Sequence, residues 1–442
     1  MRKPQGALWQ HPDFMKLWTG QSISEFGSQI SQLAIPLLAL LELHATTFEF
    51  ALLGVLGFMP FILFALPAGV WVDRLRRRQI LIVGDAARAV LLLLIPILWA
   101  AGVLRIWQLL VITFVIGIFT VFFDVAYQSY LPALIERDDL VDGNSKIQLT
   151  VSVSQVAGPS ASGLLISAVT APYAILFDAV SFVISSLFMV SMRHRETVTE
   201  RPKEGHPKMW PQVKEGLQWV VGHRWLRAIA ACTGTSNFFG SMFFAVLLVY
   251  VVRVLHFSAA EIGVMFAVGS SGSIVGALVA NRIQKRIGVG PAIVLGSICF
   301  CSTGLIYVLA PKSAALPIFM LGQAIGGFGG VSYNITQVSL RQAITPERLQ
   351  GRMNAAMRWI VWGTIPLGGL LGGAIGQWVG LRTAMWIGAV GSLTAFLPVA
   401  LTSVRSIRVM PSAVEEPTPA EAELAGGLIG GEPLPAPAAA DA

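Results

Sequence analysis

Stretches of about 20 apolar residues recur along this chain, each long enough to cross a bilayer as a helix. They centre on residues 16–41, 50–72, 79–100, 106–130, 147–170 and 172–192. Six more centre on 228–252, 259–281, 290–310, 314–338, 356–378 and 381–403. Backbone polar groups inside lipid must find partners within the protein. Twelve such stretches therefore predict an all-α membrane protein with twelve transmembrane helices, six and six. Composition points the same way. Only 12% of the 442 residues are charged, against about 25% in soluble proteins.

Charge placement supports the count. With the N-terminus inside, the inner segments carry 26 of the 31 basic residues and the outer loops only Arg105, Arg253, Lys312 and Arg382, with Arg88 left inside a span. That asymmetry follows the positive-inside rule and puts both termini in the cytoplasm, in a multi-pass protein of the cell (inner or plasma) membrane. The basic balance reports orientation, so no nucleic-acid partner is expected. The three cysteines, Cys232, Cys299 and Cys301, fall inside spans and form no disulfide framework or thiol metal site. The first span lacks the short apolar core and cleavage site of a signal peptide, so it is expected to be retained.

Between the second and third spans lies Gly69-Val70-Trp71-Val72-Asp73-Arg74-Leu75-Arg76-Arg77-Arg78. Gly69 is expected to let a neighbouring helix approach closely. Asp73 needs a partner where hydrocarbon meets water, and the arginines hold the loop inside. The residues alone fit either a charge anchor or a gate. The next span carries Asp85 and Arg88 on one face, and the fourth brings Asp124 to a similar depth. With Asp73, Arg74, Arg77 and Arg78 these predict a charge cluster at the inner mouth, either static ion pairing or a moving contact.

The first span has a continuous polar face of Gln21, Glu25, Ser28, Gln29 and Gln32. Such a face points into a bundle or a watery cavity. Glu25 is either a neutral, hydrogen-bonded carboxyl or a working group in that cavity. In the fifth span, Gly158-Pro159-Ser160-Ala161-Ser162-Gly163 combines a helix-bending proline with small residues that permit tight packing. Asp178 in the sixth span is expected to make an interhelical hydrogen bond.

The chain divides into a six-helix bundle over 1–192, a linker over 193–226, a second bundle over 227–404 and a disordered cytoplasmic tail over 405–442. In the linker, Trp210, Val213, Leu217, Val220 and Val221 share a face, which predicts an amphipathic helix on the inner leaflet. The tail from Pro411 holds six acids and no Lys or Arg. The second half repeats the first. Residues 333–372 overlay 123–163 with one gap, so that Asn334 replaces Asp124 and Gly163 meets Gly372. Thr233, Asn237, Gly240 and Ser241 copy the polar face of the first span. Pseudo-symmetric six-helix bundles around polar helices suit a transporter with a central site. Gln21, Gln29, Gln32, Asn237, Phe238, Asn334, Arg358, Trp359 and Trp362 are its candidate lining.

The Gly69–Arg78 stretch resembles the loop signature of the major facilitator superfamily, matching at Gly69, Asp73, Arg74, Arg77 and Arg78. Gly158-Pro159 with Gly163 resembles that superfamily's antiporter motif, Ser162 standing for the first of its paired glycines. Leu66-Pro67-Ala68-Gly69, Phe177-Asp178-Ala179-Val180-Ser181-Phe182, Lys214-Glu215-Gly216-Leu217-Gln218-Trp219-Val220 and Ile365-Pro366-Leu367-Gly368-Gly369 look like the drug:proton antiporter-3 branch, which includes macrolide and siderophore exporters. The resemblance runs to about residue 404. It implies the major facilitator fold, alternating access, and a loop that locks the two bundles when the inner mouth closes. That branch often carries an acid just after the glycine of the first span, where this chain has Ser28.

The expected function is secondary active transport, a proton-coupled efflux of an amphiphilic small molecule with links to drug resistance. The alternatives are an importer or facilitator on the same fold, a membrane sensor, or a membrane-embedded enzyme. No H-E-x-x-H cluster, Ser/His/Asp arrangement or ATP-binding G-x-x-x-x-G-K-[ST] loop occurs, so no catalytic residue, metal or cofactor is expected. The partners are the small-molecule substrate, protons and the lipid bilayer, around a monomer. A carboxyl moved from water into an apolar cavity favours its neutral form. Glu25 is therefore the expected proton carrier, with Asp124 in the gate.

Overall fold

The computed structural model describes residues 7–72, 75–136, 139–193 and 209–411. Asp73 and Arg74, the first part of the linker and the tail beyond residue 411 lie outside the described residues, as do the side chains of Trp210 and Val213. The first bundle comprises α1 (Pro12–Leu41), α2 (Thr47–Val72), α3 (Arg77–Ala100), α4 (Ile106–Leu134), α5 (Leu140–Val169) and α6 (Ala171–Val190). The linker forms α7 (Met209–Gly222). The second bundle comprises α8 (Arg224–Arg253), α9 (Ala259–Ile287), α10 (Val289–Leu309), α11 (Ala315–Ala343), α12 (Glu347–Trp362), α13 (Thr364–Trp378), α14 (Leu381–Thr394) and α15 (Leu397–Ala400).

Among the described residues there is no strand, and eleven helical segments are long and apolar enough to span a membrane. The twelfth span is α1, whose 30 residues carry the polar face and so fall short in hydropathy; it packs between α5 and α6. The eleventh span in chain order breaks at Gly363, between α12 and α13.

The two bundles are copies of one packing scheme. In the first, α1 packs on α5 and α6, α2 on α4, and α3 on α4 and α6. In the second, α8 packs on α13 and α14, α9 on α11, and α10 on α11 and α14. Their turns match as well. Imidazole Nδ1 of His11 accepts from Phe14 N (3.0 Å) at the start of α1, and Nδ1 of His223 accepts from Trp225 N (3.3 Å) at the start of α8. Glu49 and Thr46 cap α2 reciprocally, as Glu261 and Ser258 cap α9. Two residues before each of these caps stands a histidine in the left-handed region, His44 (φ 51°) and His256 (φ 57°). The repeat Leu43-His44-Ala45-Thr46 and Leu255-His256-Phe257-Ser258 thus encodes one turn twice.

The cores are arranged unequally along the bundle axis. At the end away from the basic loops, one apolar core joins both bundles, running through Leu37, Leu104, Ile175, Val249, Ile262 and Phe319. At the basic end there are two separate cores. One holds Phe14, Leu81 and Tyr130 of the first bundle, and the other Ile229, Leu340 and Met353 of the second. The halves are fused at the far end.

Three expectations are corrected. The linker helix α7 is docked on α12, with Val220 fully buried and Glu215 paired with Arg348 (3.2 Å) and Arg352. A Cβ on Gly216 would collide with the Arg352 carbonyl, which explains why glycine stands there. Only Leu217 and Val221 of its apolar set are exposed among those whose side chains are described. The tail also stays packed past 405: Gly290 N donates to Ile407 O (2.8 Å) and Arg408 to Ile287 O (2.9 Å). Finally, Gly158 packs on α1 as Gly368 packs on α8, and Gly163 packs on α9 as Gly373 packs on α2. The internal match is therefore Gly163 with Gly373, one residue on from the sequence alignment, and this segment needs no gap.

Candidate functional site

The bundles touch through two symmetric helix pairs, α5 with α9 and α2 with α13. Gly163 and Gly263 face each other so closely that a Cβ on either would strike backbone of the other helix: the Ala259 carbonyl for Gly163, the Pro159 carbonyl for Gly263. Gly373 meets Ala51 at the matching position. Small residues let backbones approach to this degree. Polar contacts close the rim. Thr47 N donates to Gln377 Oε1 (3.0 Å), and the Arg253 guanidinium donates to the Ala45 carbonyl across the interface. The far end of the molecule is shut.

Under this seal lie two chambers. The first, about 650 Å³, is lined by Glu25, Gln29, Gln32, Gln155, Ser270 and Gln323 together with Phe244, Phe266 and Phe300. The second, about 600 Å³, is mainly apolar, with Phe50, Leu53, Ile116, Phe182 and Ile365 in its wall and Arg88 and Asp178 among its few polar groups. Gln32 and Phe244 border both, so the chambers adjoin. A ligand with a hydrogen-bonding part and a greasy part matches the pair.

Glu25 faces the first chamber, the one carboxylate in its wall among the described residues, and the Ser154 hydroxyl lies 3.4 Å from its Oε1. The stem of Gln29 packs on Gly158, where a Cβ would lie 2.6 Å away. Pro159 lines the chamber and Gly163 forms the seal, so that motif serves both.

The charged groups sit deeper than the inner mouth. Asp85 is fully buried and Arg88 is 6% exposed. They lie 8 and 11 residues into α3, about 12 and 16 Å from its start at 1.5 Å per residue. Arg88 pairs with Asp85 and shares the wall of the apolar chamber with Asp178. Arg77 donates to Ser129 O (3.2 Å) and Arg78 to the carbonyls of Met189 (3.1 Å) and Val190 (2.8 Å), which ties the loop to the ends of α4 and α6. Among the described residues, no other helix comes within 4 Å of where a Gly69 Cβ would stand, so Gly69 makes no close helix contact with them. The basic ends are parted, and its neighbours Asp73 and Arg74 lie outside the described residues.

Several candidate lining residues are elsewhere. Asn237 donates to Val361 O (3.0 Å), Phe238 stacks edge-on with Phe239, and Asn334 accepts from Gln337 (3.1 Å). Arg358 lies over Trp362, whose ring meets Phe58 across the bundle interface, while Trp359 is 62% exposed. Gln21 is turned into the bundle, its Oε1 buried and without a hydrogen-bond partner among the described residues. Gln155 belongs to a polar face of the fifth span that the sequence shows, with Gln148 and Ser152, whereas reading the sequence missed Ser270, Ser273, Thr303 and Gln323. The available signal was the Gly269-Ser270-Ser271-Gly272-Ser273 run and Gln323 amid the glycines of α11.

A family model described as transmembrane secretion effector matches residues 7–425. Macrolide efflux protein A of Streptococcus pyogenes is 26% identical over 406 residues, covering 89% of this chain and 96% of that protein. Enterobactin exporter EntS of Salmonella paratyphi A is 24% identical over 363 residues, covering 78% and 81%. Among solved structures, a bacterial homologue of the iron transporter ferroportin in its inward-facing state superposes with a TM-score of 0.68 at 16% identity, covering 88% of this chain and 98% of that one. The outward-facing state of such a homologue gives 0.53 over the same coverage. These likenesses establish the fold.

Proposed function

The chain belongs to the transmembrane secretion effector family of the major facilitator superfamily, and from that premise we propose that it exports an amphiphilic small molecule in exchange for protons. It is a multi-pass membrane transporter; substrate, coupling and direction are the proposal. The observation that carries the reading is the joined pair of chambers under a closed far end, one rich in glutamine and serine, the other apolar and aromatic. A macrolide or a siderophore of the enterobactin kind has such a divided surface, and relatives that export those compounds support the class. Fusion of the cores at the far end and their separation at the basic end support a resting state open to the cytoplasm; basic residues in alternate loops support cytoplasmic termini, and the proposed unit is a monomer in the cell membrane.

Glu25 is the proposed proton carrier. It lines the polar chamber, and a carboxyl that is charged in water can be neutral in a closed cavity. Asp124 and the Arg77–Arg78 segment are proposed to work the gate with Asp73 and Arg74.

The test is uptake of a labelled macrolide into inverted vesicles holding an imposed pH gradient. Glu25→Gln is expected to abolish concentrative uptake while leaving downhill exchange within about twofold, and Asp124→Asn to impair both. Concentrative uptake by Glu25→Gln with unchanged pH dependence would remove Glu25 from the role. A resistance profile of cells with and without the protein tests the substrate class; sensitivity unchanged to macrolides and to chelating siderophores would overturn it.

A further inference from the structure

Arg88 is held in the middle of the first bundle between two phenyl rings, its guanidinium carbon 4.2 Å from the centre of Phe123 and 4.3 Å from that of Phe182. Three carboxyls share its neighbourhood: Asp85 pairs with it from its own helix, Asp178 of α6 lines the apolar chamber beside it, and Asp124 of α4 follows Phe123 in the chain. If all were ionised, two negative charges would be unmatched inside an apolar bundle. Uncompensated buried charge is strongly disfavoured, and carboxyls in that position bind protons instead. Asp85 holds the salt bridge through one oxygen, while the other has no hydrogen-bond donor among the described residues. Asp178 differs from Asp85 in access. It is buried against Gly27 and Ser181, yet it borders the apolar chamber.

Among the described residues, no further charge pairs with it. On α1, Ser31 approaches Asp178 and Glu25 faces the polar chamber, while Asp13 and Lys16 are engaged at the basic end with Arg193 N and Ser191 O. On α3, Arg77 and Arg78 bind carbonyls at the basic end. On α5, Asp142 and Lys146 pair with each other (2.5 Å). Helix α6 contributes no ionisable group besides Asp178 and Tyr173.

We infer that Asp178 is a second proton-binding site, separate from Glu25, which takes up and releases its proton through the apolar chamber while Asp85 stays bound to Arg88. The proton moves between a carboxylate oxygen of Asp178 and water in the chamber; no other bond changes. Each chamber then has its own acid, Glu25 in the polar one and Asp178 in the apolar one. Its role in transport rests on the coupling proposed above, whereas its occupancy does not.

Infrared difference spectroscopy of the full-length protein in lipid tests the occupancy directly, through the carbonyl stretch of protonated carboxyl groups. Wild type is expected to show such a band at neutral pH that vanishes on alkalinisation. Asp178→Asn should weaken the band, any remainder belonging to Asp124, and Glu25→Gln should leave it unchanged. Should Asp178→Asn fail to fold, Ser181→Ala gives the second reading. Its hydroxyl lies 2.7 Å from the Asp178 carbonyl and 3.2 Å from Asp178 Oδ1, and its one proton can turn to the carboxylate when that is ionised. Losing that bond should move the pH at which the band vanishes upward by about half a unit. No band in wild type, an equal band in Asp178→Asn, or an unmoved midpoint in Ser181→Ala overturns the site. A band that behaves as expected in a protein without proton-driven transport overturns the coupling and leaves the site.

Discussion

The two bundles share a scaffold and differ in what they bury. Caps, turns and helix neighbours correspond from His11 to His223 and from Glu49 to Glu261. Inside, the correspondence fails at the charged positions. Gly84 packs on Phe123 as Gly296 packs on Tyr333, and this register sets Asp85 opposite Ser297 and Arg88 opposite Phe300. In the first bundle Gly27 makes room for Asp178 and Ser181; in the second, Phe239 fills the equivalent space against Gly388 and Gly391. Glu25 faces the cavity, while its partner Asn237 is bound to a backbone carbonyl. Among the described residues, the buried ionic cluster belongs to one half alone. A duplicated helix framework has thus kept its packing and confined its charge chemistry to one copy, which leaves the other free to supply the glycine-rich wall of the chamber.

Removing the cation should test this division most severely. Arg88→Leu leaves the buried Asp85 carboxylate without its cation, and breaking a buried pair by deleting one partner costs about 3–5 kcal/mol. Phe300→Leu at the matching site should cost about 1 kcal/mol, an ordinary value for a point change. Thermal unfolding of the two variants in detergent gives the ranking. Equal losses would mean that the cluster does not hold the first bundle together.

The framework was legible in the sequence because it is written in apolar run length and in basic residues at alternate loops. Both are properties of position along the chain, and α2 to α6 follow directly. The site was half legible. Glu25, Gln29 and Gln32 share one helix face, so periodicity found them. Gln155, Ser270 and Gln323 come from three helices whose juxtaposition depends on how the bundles meet. Trp359 and Trp362 misled because an aromatic near an arginine suits a cavity wall and a lipid interface equally. The depth of Asp85 and Arg88 was misread because charges near a basic loop look like part of it, whereas two helical turns carry them into the bundle.

The seal offers a comparison of intermediate size, since its two symmetric contacts are built differently. Gly263 meets backbone, and its counterpart Ala51 already carries a Cβ against Gly373. Gly263→Ala places a methyl on the Pro159 carbonyl, with no flexible side chain to yield, so α5 and α9 must separate. Overpacking of this kind costs about 1–3 kcal/mol, which shifts the balance toward far-end opening by about 5- to 150-fold. Ala51→Gly should leave it nearly unchanged. Spin-label distances between the far ends of α5 and α9 read the population. If Gly263→Ala keeps the wild-type distance, the two contacts are interchangeable.

The smallest expected effect lies at the matched histidine caps. His223 Nδ1 must be unprotonated to accept from Trp225 N, and burial, with the adjacent Arg224, holds the imidazole below its ordinary range. A base whose affinity for protons is lower when folded adds stability above its unfolded value of about 6.5, and that stability is lost as pH falls through the folded value. The group is half-exposed, so solvent screening limits the pH-dependent part to about a few tenths of a kcal/mol. His223→Ala should cost about 0.5–1 kcal/mol at neutral pH through loss of the cap. His223→Asn retains a side-chain acceptor, so it should restore the neutral-pH stability and flatten the acid side of the profile. Unfolding midpoints across the range from mildly acid to neutral distinguish the variants. If His223→Asn gave the same acid slope as the wild-type imidazole, the titrating group would lie elsewhere in the linker junction, and the cap would be a matter of shape alone.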